Sequence, residues 1–450
     1  METWKIFSKF FGGNYIFVVA IIGNFLYVFS GMSLAWPSPV LVKLREPENN
    51  PLGKPITPEE NDLIGSVFSI GGAIGPVILI YTLELLGRKF TMAILAVLFP
   101  LFYTVLSFSE TIYLYYVCRI GLGICVGASF SIVPIYISEI VPSEFRGTFM
   151  SLGTCFLNVG CFLSYTIGPY ISILALNVLI ATFSLIYAPI YIFSCPETLY
   201  YTMQKHGDGR TSELLKALRK GDSHEEELKE IKSSMKTEEN GSIFDIFRSR
   251  AGIRAFFICT GLLTLQQFSG INIVITYSES IFKKAGVSIS PEVCSIIVSA
   301  FQTATCAITP IALKHINIKT LLSISFAGVG LSNMIMCLYF YLQPLEEFKW
   351  IPLIILVCFM IFCNCGVASL PWVILGEMYP LKVKSVGTAL STMIYWIFQF
   401  IVTYFYNKID QGLSFLIFTI ACVATVVFVQ KFLIETKGKS LQEIHECLES

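Results

Sequence analysis

Charge is what this sequence has least of. Only 14% of its 450 residues are Asp, Glu, Lys or Arg, against 54% hydrophobic, and the mean hydropathy is +0.70. A soluble globular domain carries roughly 25% charged residues. This chain has too few to cover a water-soluble body of its size, which excludes a soluble enzyme, a disordered chain and a disulfide-dense secreted scaffold. Net charge is zero, so no basic field for nucleic acid is present. Histidine is scarce: His206, His224, His315 and His445 all fall outside apolar runs, which leaves none for chemistry within a membrane. The fourteen cysteines look numerous. Cys118, Cys125, Cys155, Cys161, Cys259, Cys306, Cys358 and Cys422 nevertheless sit in apolar stretches and read as small buried hydrophobes rather than disulfides or metal ligands. Cys363 and Cys365 stand too close for a zinc spacing, so no metal is expected.

Long apolar runs take the place of charge. About 20 residues are needed to cross the hydrocarbon core, and that ruler finds twelve spans: 14–35, 61–82, 90–108, 112–137, 148–170, 173–194, 252–275, 293–313, 320–342, 351–376, 385–407 and 412–433. The first run lacks a small-residue cleavage site and reads as a membrane span, not a removable signal peptide. The pattern implies an all-α polytopic membrane protein. It divides into a six-helix half (1–194), a polar linker (195–250), a second six-helix half (251–433) and a short tail (434–450). The linker holds ten Lys or Arg and eleven Asp or Glu. Within it TSELLKALRK and SHEEELKEIKSSM read as amphipathic helices, the second with a capping box from Ser223 to Glu226.

Lys and Arg gather on the side that carries both termini, 22 against seven, which orients both termini toward the cytoplasm. Asn240, in the only Asn-x-Ser/Thr motif, then faces the cytoplasm and stays unglycosylated. The plasma membrane is the expected location, because the short N-terminal segment shows no acidic dileucine signal. Trp36 and Trp350 mark one membrane boundary and Trp4 the other, as an interfacial belt would. The halves repeat: Glu139, Pro142, Arg146, Glu197 and Thr198 recur 238 residues later as Glu377, Pro380, Lys384, Glu435 and Thr436. Duplicated six-span halves are the layout of carriers that hold substrate near midplane.

Six segments carry a resemblance: LLGRK (85–89), PIYISEIVPSEFRG (134–147), PETLYY (196–201), QQFSGINIVITYS (266–278), PWVILGEMYP (371–380) and ETKGKSLQEI (435–444). Together they resemble the sugar porter family of the major facilitator superfamily along nearly the whole chain. Within that family the first-span region looks most like insect trehalose-transporter-like members and the animal facilitative hexose transporters. The resemblance implies the major facilitator fold and a small-molecule sugar as substrate, a neutral hexose or a disaccharide such as trehalose. It implies no cofactor and no nucleic-acid partner; the oligomeric state is open.

Gln266, Gln267 and Asn272 are amides inside an apolar span. An unpaired buried amide costs roughly 4–8 kcal/mol on the cyclohexane scale, so these need partners. Helical geometry scatters them around a straight helix, whereas a break at Ser269-Gly270 would let them converge. They are either interhelical glue or contacts to a hydroxyl-rich ligand. The resemblance implies ligand contact, and adds Tyr277, Gln302, Trp372 and Trp396. Thr154 and Asn364 stand where the resemblance would place a glutamine and a glutamate, and Gln302 where others have asparagine or glutamine, which leaves a substrate other than glucose open.

The resemblance also implies an inner gate of salt bridges and bonds to helix ends, built from Glu84, Arg88, Lys89, Glu139, Arg146, Glu197, Glu377, Lys384 and Glu435. The second-half counterpart of LLGRK is KHINIK (314–319), and Lys384 cannot form the bidentate fork of an arginine. The gate should therefore be looser, with a bias toward the inward-facing state. Arg119 is the one charge expected well inside a span. Proton-coupled sugar porters place an aspartate in span one, two residues after a glycine. Ser33 stands there, and no Asp or Glu occurs between Glu2 and Glu46. Facilitated diffusion by alternating access is the expected function; proton symport and a non-transporting sugar sensor are the alternatives. The spans lack catalytic histidines or paired carboxylates, so no enzymatic activity is expected.

Overall fold

A computed structural model describes residues 4–47, 50–218, 228, 232, 243–342, 346–380, 383–435, 437, 443 and 447–449. Ser223, Glu226, Asn240 and Thr436 lie outside the described residues, as does the side chain of Arg146. Lipid offers no hydrogen bonds, so each crossing segment must satisfy its backbone internally, and helices do this. Spans one to six run Tyr15–Leu44, Pro58–Leu86, Arg88–Ser107, Ile112–Ile140, Gly147–Tyr170 and Ile173–Ser194. Spans seven to twelve run Arg250–Ala285, Pro291–Ala312, Ile318–Leu342, Glu346–Met378, Val386–Tyr406 and Gln411–Phe432. Twelve crossings bring both termini to one end, called here the near end.

Local chemistry sets several of these starts. Thr57 and Glu60 form a reciprocal capping box ahead of span two, with Pro58 at its first position. Ser172, Ser249 and Asp410 accept from the first-turn amides of spans six, seven and twelve. Close packing then depends on glycine. Spans two and four interlock reciprocally: a Cβ on Gly71 would fall 1.9 Å from the Ile120 carbonyl, and one on Gly123 would fall 1.9 Å from that of Phe68. No side chain fits, and the backbones touch. Between the halves, span two packs along span eleven and span five along span eight. The linker helix Leu199–Leu218 covers the first of the two expected amphipathic segments as far as Leu218, buries Leu214, Leu215 and Leu218, and pairs with the N-terminal helix through Lys5 and Glu213.

Three expectations need correction. Trp36 is fully buried and donates to Asn177 Oδ1 at 2.7 Å; span one continues to Leu44, so Trp36 lies two turns inside it and is no interfacial anchor. Cys155 and Cys306 are joined as a disulfide. Spans five and eight cross at these two residues with a Cα separation of 5.7 Å, inside the bonding range. Arg119 is not the only buried charge: Glu279 is buried inside span seven, which runs ten residues past its expected end, and Asp62 is buried near the start of span two.

Candidate functional site

Span seven breaks where its glycine allows. The helix stops at Gln267, Gly270 takes the left-handed conformation (φ 86°), and a second helix starts at Ile271. The break frees the Ser269 carbonyl, which accepts from Asn333 Nδ2 of span nine at 3.0 Å. It also brings two of the three amides together, Gln267 and Asn272. Asn272 Nδ2 donates to Gln267 Oε1 at 2.6 Å and to the Tyr395 hydroxyl at 3.3 Å.

Tyr395 leads to the tryptophans. Its ring lies edge-on to Trp372 (5.0 Å) and Trp396 (5.3 Å), and Phe130 of span four meets both indoles from the other half. Trp396 is 1% exposed because Gly72 leaves room for it; a Cβ there would lie 2.4 Å from the indole ring.

Gln266 turns toward span ten, and proline explains why. Pro371 has no N–H to donate to the Val367 carbonyl one turn back. Gln266 Nε2 donates to that carbonyl at 2.7 Å instead. The same stretch, Cys363–Val367, is a π-helical turn, a distortion common at functional positions. It presents Asn364, whose Nδ2 donates to the Gln302 carbonyl at 2.6 Å and to Thr305 Oγ1 at 2.8 Å. Gln302 in turn crosses to the first half, donating through Nε2 to Asn158 Oδ1 at 3.1 Å.

Asn158 escaped the sequence reading. It sits one helical turn beyond Thr154, on the same face of span five, and Thr154 is half-buried. The i+4 spacing was the available signal. Tyr395 was missed as well, hidden among the aromatics of span eleven. Tyr277 lies apart from the amides: it stacks on Tyr406 (5.6 Å) and covers Gly65 at the far end, where a Cβ would meet its hydroxyl at 2.4 Å.

The charged residues gather at the near end. Arg88 donates to Glu139 Oε1 from Nη2 at 3.0 Å and from Nε at 3.2 Å. Glu197 accepts from the backbone amides of Arg88 and Lys89, both at 3.1 Å, which caps the start of span three with a carboxylate. Glu435 repeats this at span nine, accepting from the amides of Ile318 and Lys319 at 3.1 Å each. The capping half of the motif thus survives in KHINIK although its side chains differ. Burial pushes the Lys384 ammonium below its usual range, and Glu377 opposes this. Glu84 is exposed.

Among the described residues, bonds join the halves at the far end and near mid-depth. At the far end Asn407 Nδ2 donates to Asp62 Oδ1 at 2.9 Å, the Glu279 amide donates to Ser38 Oγ at 3.2 Å, and Lys283 pairs with Glu46 at 3.8 Å. Arg119 is 1% exposed and staples three spans of the first half. Its Nη1 donates to the Ser33 carbonyl at 2.8 Å, its Nε to that of Ile64 at 3.3 Å, and its guanidinium lies 4.3 Å from the Phe68 ring centre.

Residues 16–448 match the family model described as "Sugar (and other) transporter". The chain is 31% identical over 429 residues to the facilitated trehalose transporter Tret1 of Polypedilum vanderplanki, covering 92% of this chain and 84% of that one. Similarity to the protein of the same name from Anopheles gambiae is 29% over 428 residues and spans only 53% of that longer relative. Among solved structures, the inward open conformation of the xylose transporter XylE from E. coli superposes with a TM-score of 0.79 at 20% identity, covering 96% of this chain and 99% of that one.

Proposed function

Because this chain belongs to the sugar transporter family of the major facilitator superfamily, we propose that it is a facilitative carrier for a neutral hexose or a disaccharide such as trehalose. One observation carries the reading. Four buried polar atoms on the site's side chains have no hydrogen-bond partner: Gln266 Oε1, Gln267 Nε2, Gln302 Oε1 and Trp396 Nε1. Two accept and two donate, on residues from three spans of the second half, and none carries charge. Buried polar groups in stable proteins are almost always paired, and a polyol supplies hydroxyls that serve as donor and acceptor together. The indole faces suit the C–H face of a sugar ring. Gln266, Gln267, Asn272, Gln302, Asn364, Trp372 and Trp396 are the proposed contacts, with Asn158 supplying on span five the amide that Thr154 lacks. Tyr277 closes the pathway at the far end.

In this reading the near end is cytoplasmic, the membrane is the plasma membrane, and the near-end charges form the gate. The far-end bonds between halves support a resting bias toward the inward-facing state. Uniport is supported by the surroundings of Ser33: its hydroxyl donates to the Phe29 carbonyl at 2.8 Å and meets the Tyr103 hydroxyl at 2.9 Å, with no carboxylate in its span. Proton symport stays as the second reading because Glu279 is a buried carboxylate between the halves.

Uptake of labelled trehalose and glucose into proteoliposomes, with and without an imposed pH gradient, tests both readings. Equilibration that ignores a protonophore is expected. Accumulation that collapses with the protonophore would establish symport, and no uptake of either sugar would favour a sensor. Asn158→Ala should raise KM for the transported sugar about tenfold, the equivalent of one lost hydrogen bond near 1.4 kcal/mol, with a smaller change in maximal rate. An unchanged KM would remove Asn158 from the site.

A further inference from the structure

The Cys155–Cys306 bond joins span five of the first half to span eight of the second. Such a link bears directly on a carrier whose halves must rock against each other, and the inference that follows rests on the transport reading above. We propose that this cysteine pair is a redox modification site that holds the carrier in its far-end-closed state when oxidised and releases it when reduced.

The placement is specific. Cys155 lies ten residues from Tyr165, about 15 Å along the helix, and the Tyr165 hydroxyl donates to the Ile275 carbonyl across the far-end seam. One turn from the pair toward mid-depth, Asn158 and Gln302 bond across the same seam. A disulfide tolerates Cα separations of roughly 4.4–6.8 Å. At 5.7 Å the pair has only about 1 Å of slack. The far end is closed in this bonded structure, so relative motion of spans five and eight beyond that slack is blocked from the closed side.

Access and chemistry both allow the exchange. Cys155 and Cys306 are each partly exposed, as are Cys358, Cys365 and Cys447, whereas Cys118, Cys125, Cys161, Cys259, Cys363 and Cys422 are buried; of these only Cys155 and Cys306 are bonded across the two halves. A low-molecular-weight disulfide, such as oxidised glutathione, is the oxidant. One cysteine thiolate attacks it, forming a mixed disulfide and releasing one small thiol. The second cysteine thiolate then attacks the first cysteine's sulfur and releases the other small thiol. Two protein thiols lose two electrons and two protons, and the small disulfide becomes two thiols.

The 450-residue chain in proteoliposomes tests this with oxidised glutathione or dithiothreitol, the bond being quantified by alkylation and mass spectrometry. Initial sugar uptake should fall at least tenfold on oxidation and recover on reduction. Cys155→Ser and Cys306→Ser should each transport at the reduced wild-type rate and ignore oxidant. A second readout needs no sugar. Ser38→Cys places a thiol in the closed far-end seam, and its maleimide labelling should be fast in reduced protein and at least tenfold slower in oxidised protein. Equal uptake and equal labelling with the bond shown to be formed would overturn the proposal, as would a response that persists in Cys155→Ser. If labelling responds but no sugar moves, the transport reading fails and the switch stands.

Discussion

Replacing Arg119 with leucine should lower the thermal midpoint in detergent micelles and abolish uptake, and Arg119→Lys should restore less than a tenth of the wild-type rate. The cause begins with Pro37. It lacks the N–H that would have bonded the Ser33 carbonyl one turn back, and Arg119 Nη1 takes that carbonyl at 2.8 Å. A second donor of the same guanidinium reaches Ile64 of span two, and the Phe68 face covers the charge. Truncation leaves a buried carbonyl unpaired, at about 1–3 kcal/mol, and removes a desolvated cation–π contact worth about 2 kcal/mol. Losing a buried charge also relieves desolvation and offsets part of this cost; the unpaired carbonyl and the lost ring contact set the expected direction. Lysine keeps the charge and loses the fork: one ammonium on a flexible stem cannot hold carbonyls of two spans and a ring face together. A wild-type midpoint in Arg119→Leu would show that the staple is ornamental.

The twelve spans were legible because lipid makes length and apolarity sufficient criteria; span six ends at Ser194 as read. Spans one and seven were underestimated by nine and ten residues, because polar residues near their far ends pair across the halves and lose their value as boundary marks. The break at Gly270 was legible too, since amides scattered around an apolar helix need one to converge; it joins Gln267 to Asn272, whereas Gln266 turns to span ten. Legibility ended where a partner had to be chosen. Pro37 and Pro371 are plain in the sequence, and each frees a known carbonyl. That Arg119 and Gln266 answer them depends on which spans lie side by side. Cys155, Cys306 and Asn158 failed for the same reason: residues 151 positions apart meet only once spans five and eight are packed.

Gln266 offers the sharper separation of structure from recognition. Gln266→Leu should cut sugar uptake at least a hundredfold, because two losses coincide. The Val367 carbonyl loses its donor, since Pro371 cannot supply one, and the unpartnered acceptor proposed to meet the sugar, Gln266 Oε1, is removed. Each unpaired buried group is worth about 1–3 kcal/mol, and 2.8 kcal/mol is about a hundredfold. A second substitution divides the two terms. Pro371→Ala returns an N–H that can close the helical bond to Val367 O. In Gln266→Leu/Pro371→Ala the carbonyl is satisfied again while the sugar's acceptor is still missing. The thermal midpoint should then recover toward wild type, whereas sugar affinity, read by quenching of the neighbouring tryptophans, should stay depressed by about tenfold or more. Coupled sites of this kind show interaction energies of about 0.5–3 kcal/mol in such cycles. If affinity recovers together with stability, Gln266 is interhelical glue, and the sugar is held by Gln267, Asn272 and Gln302 without it.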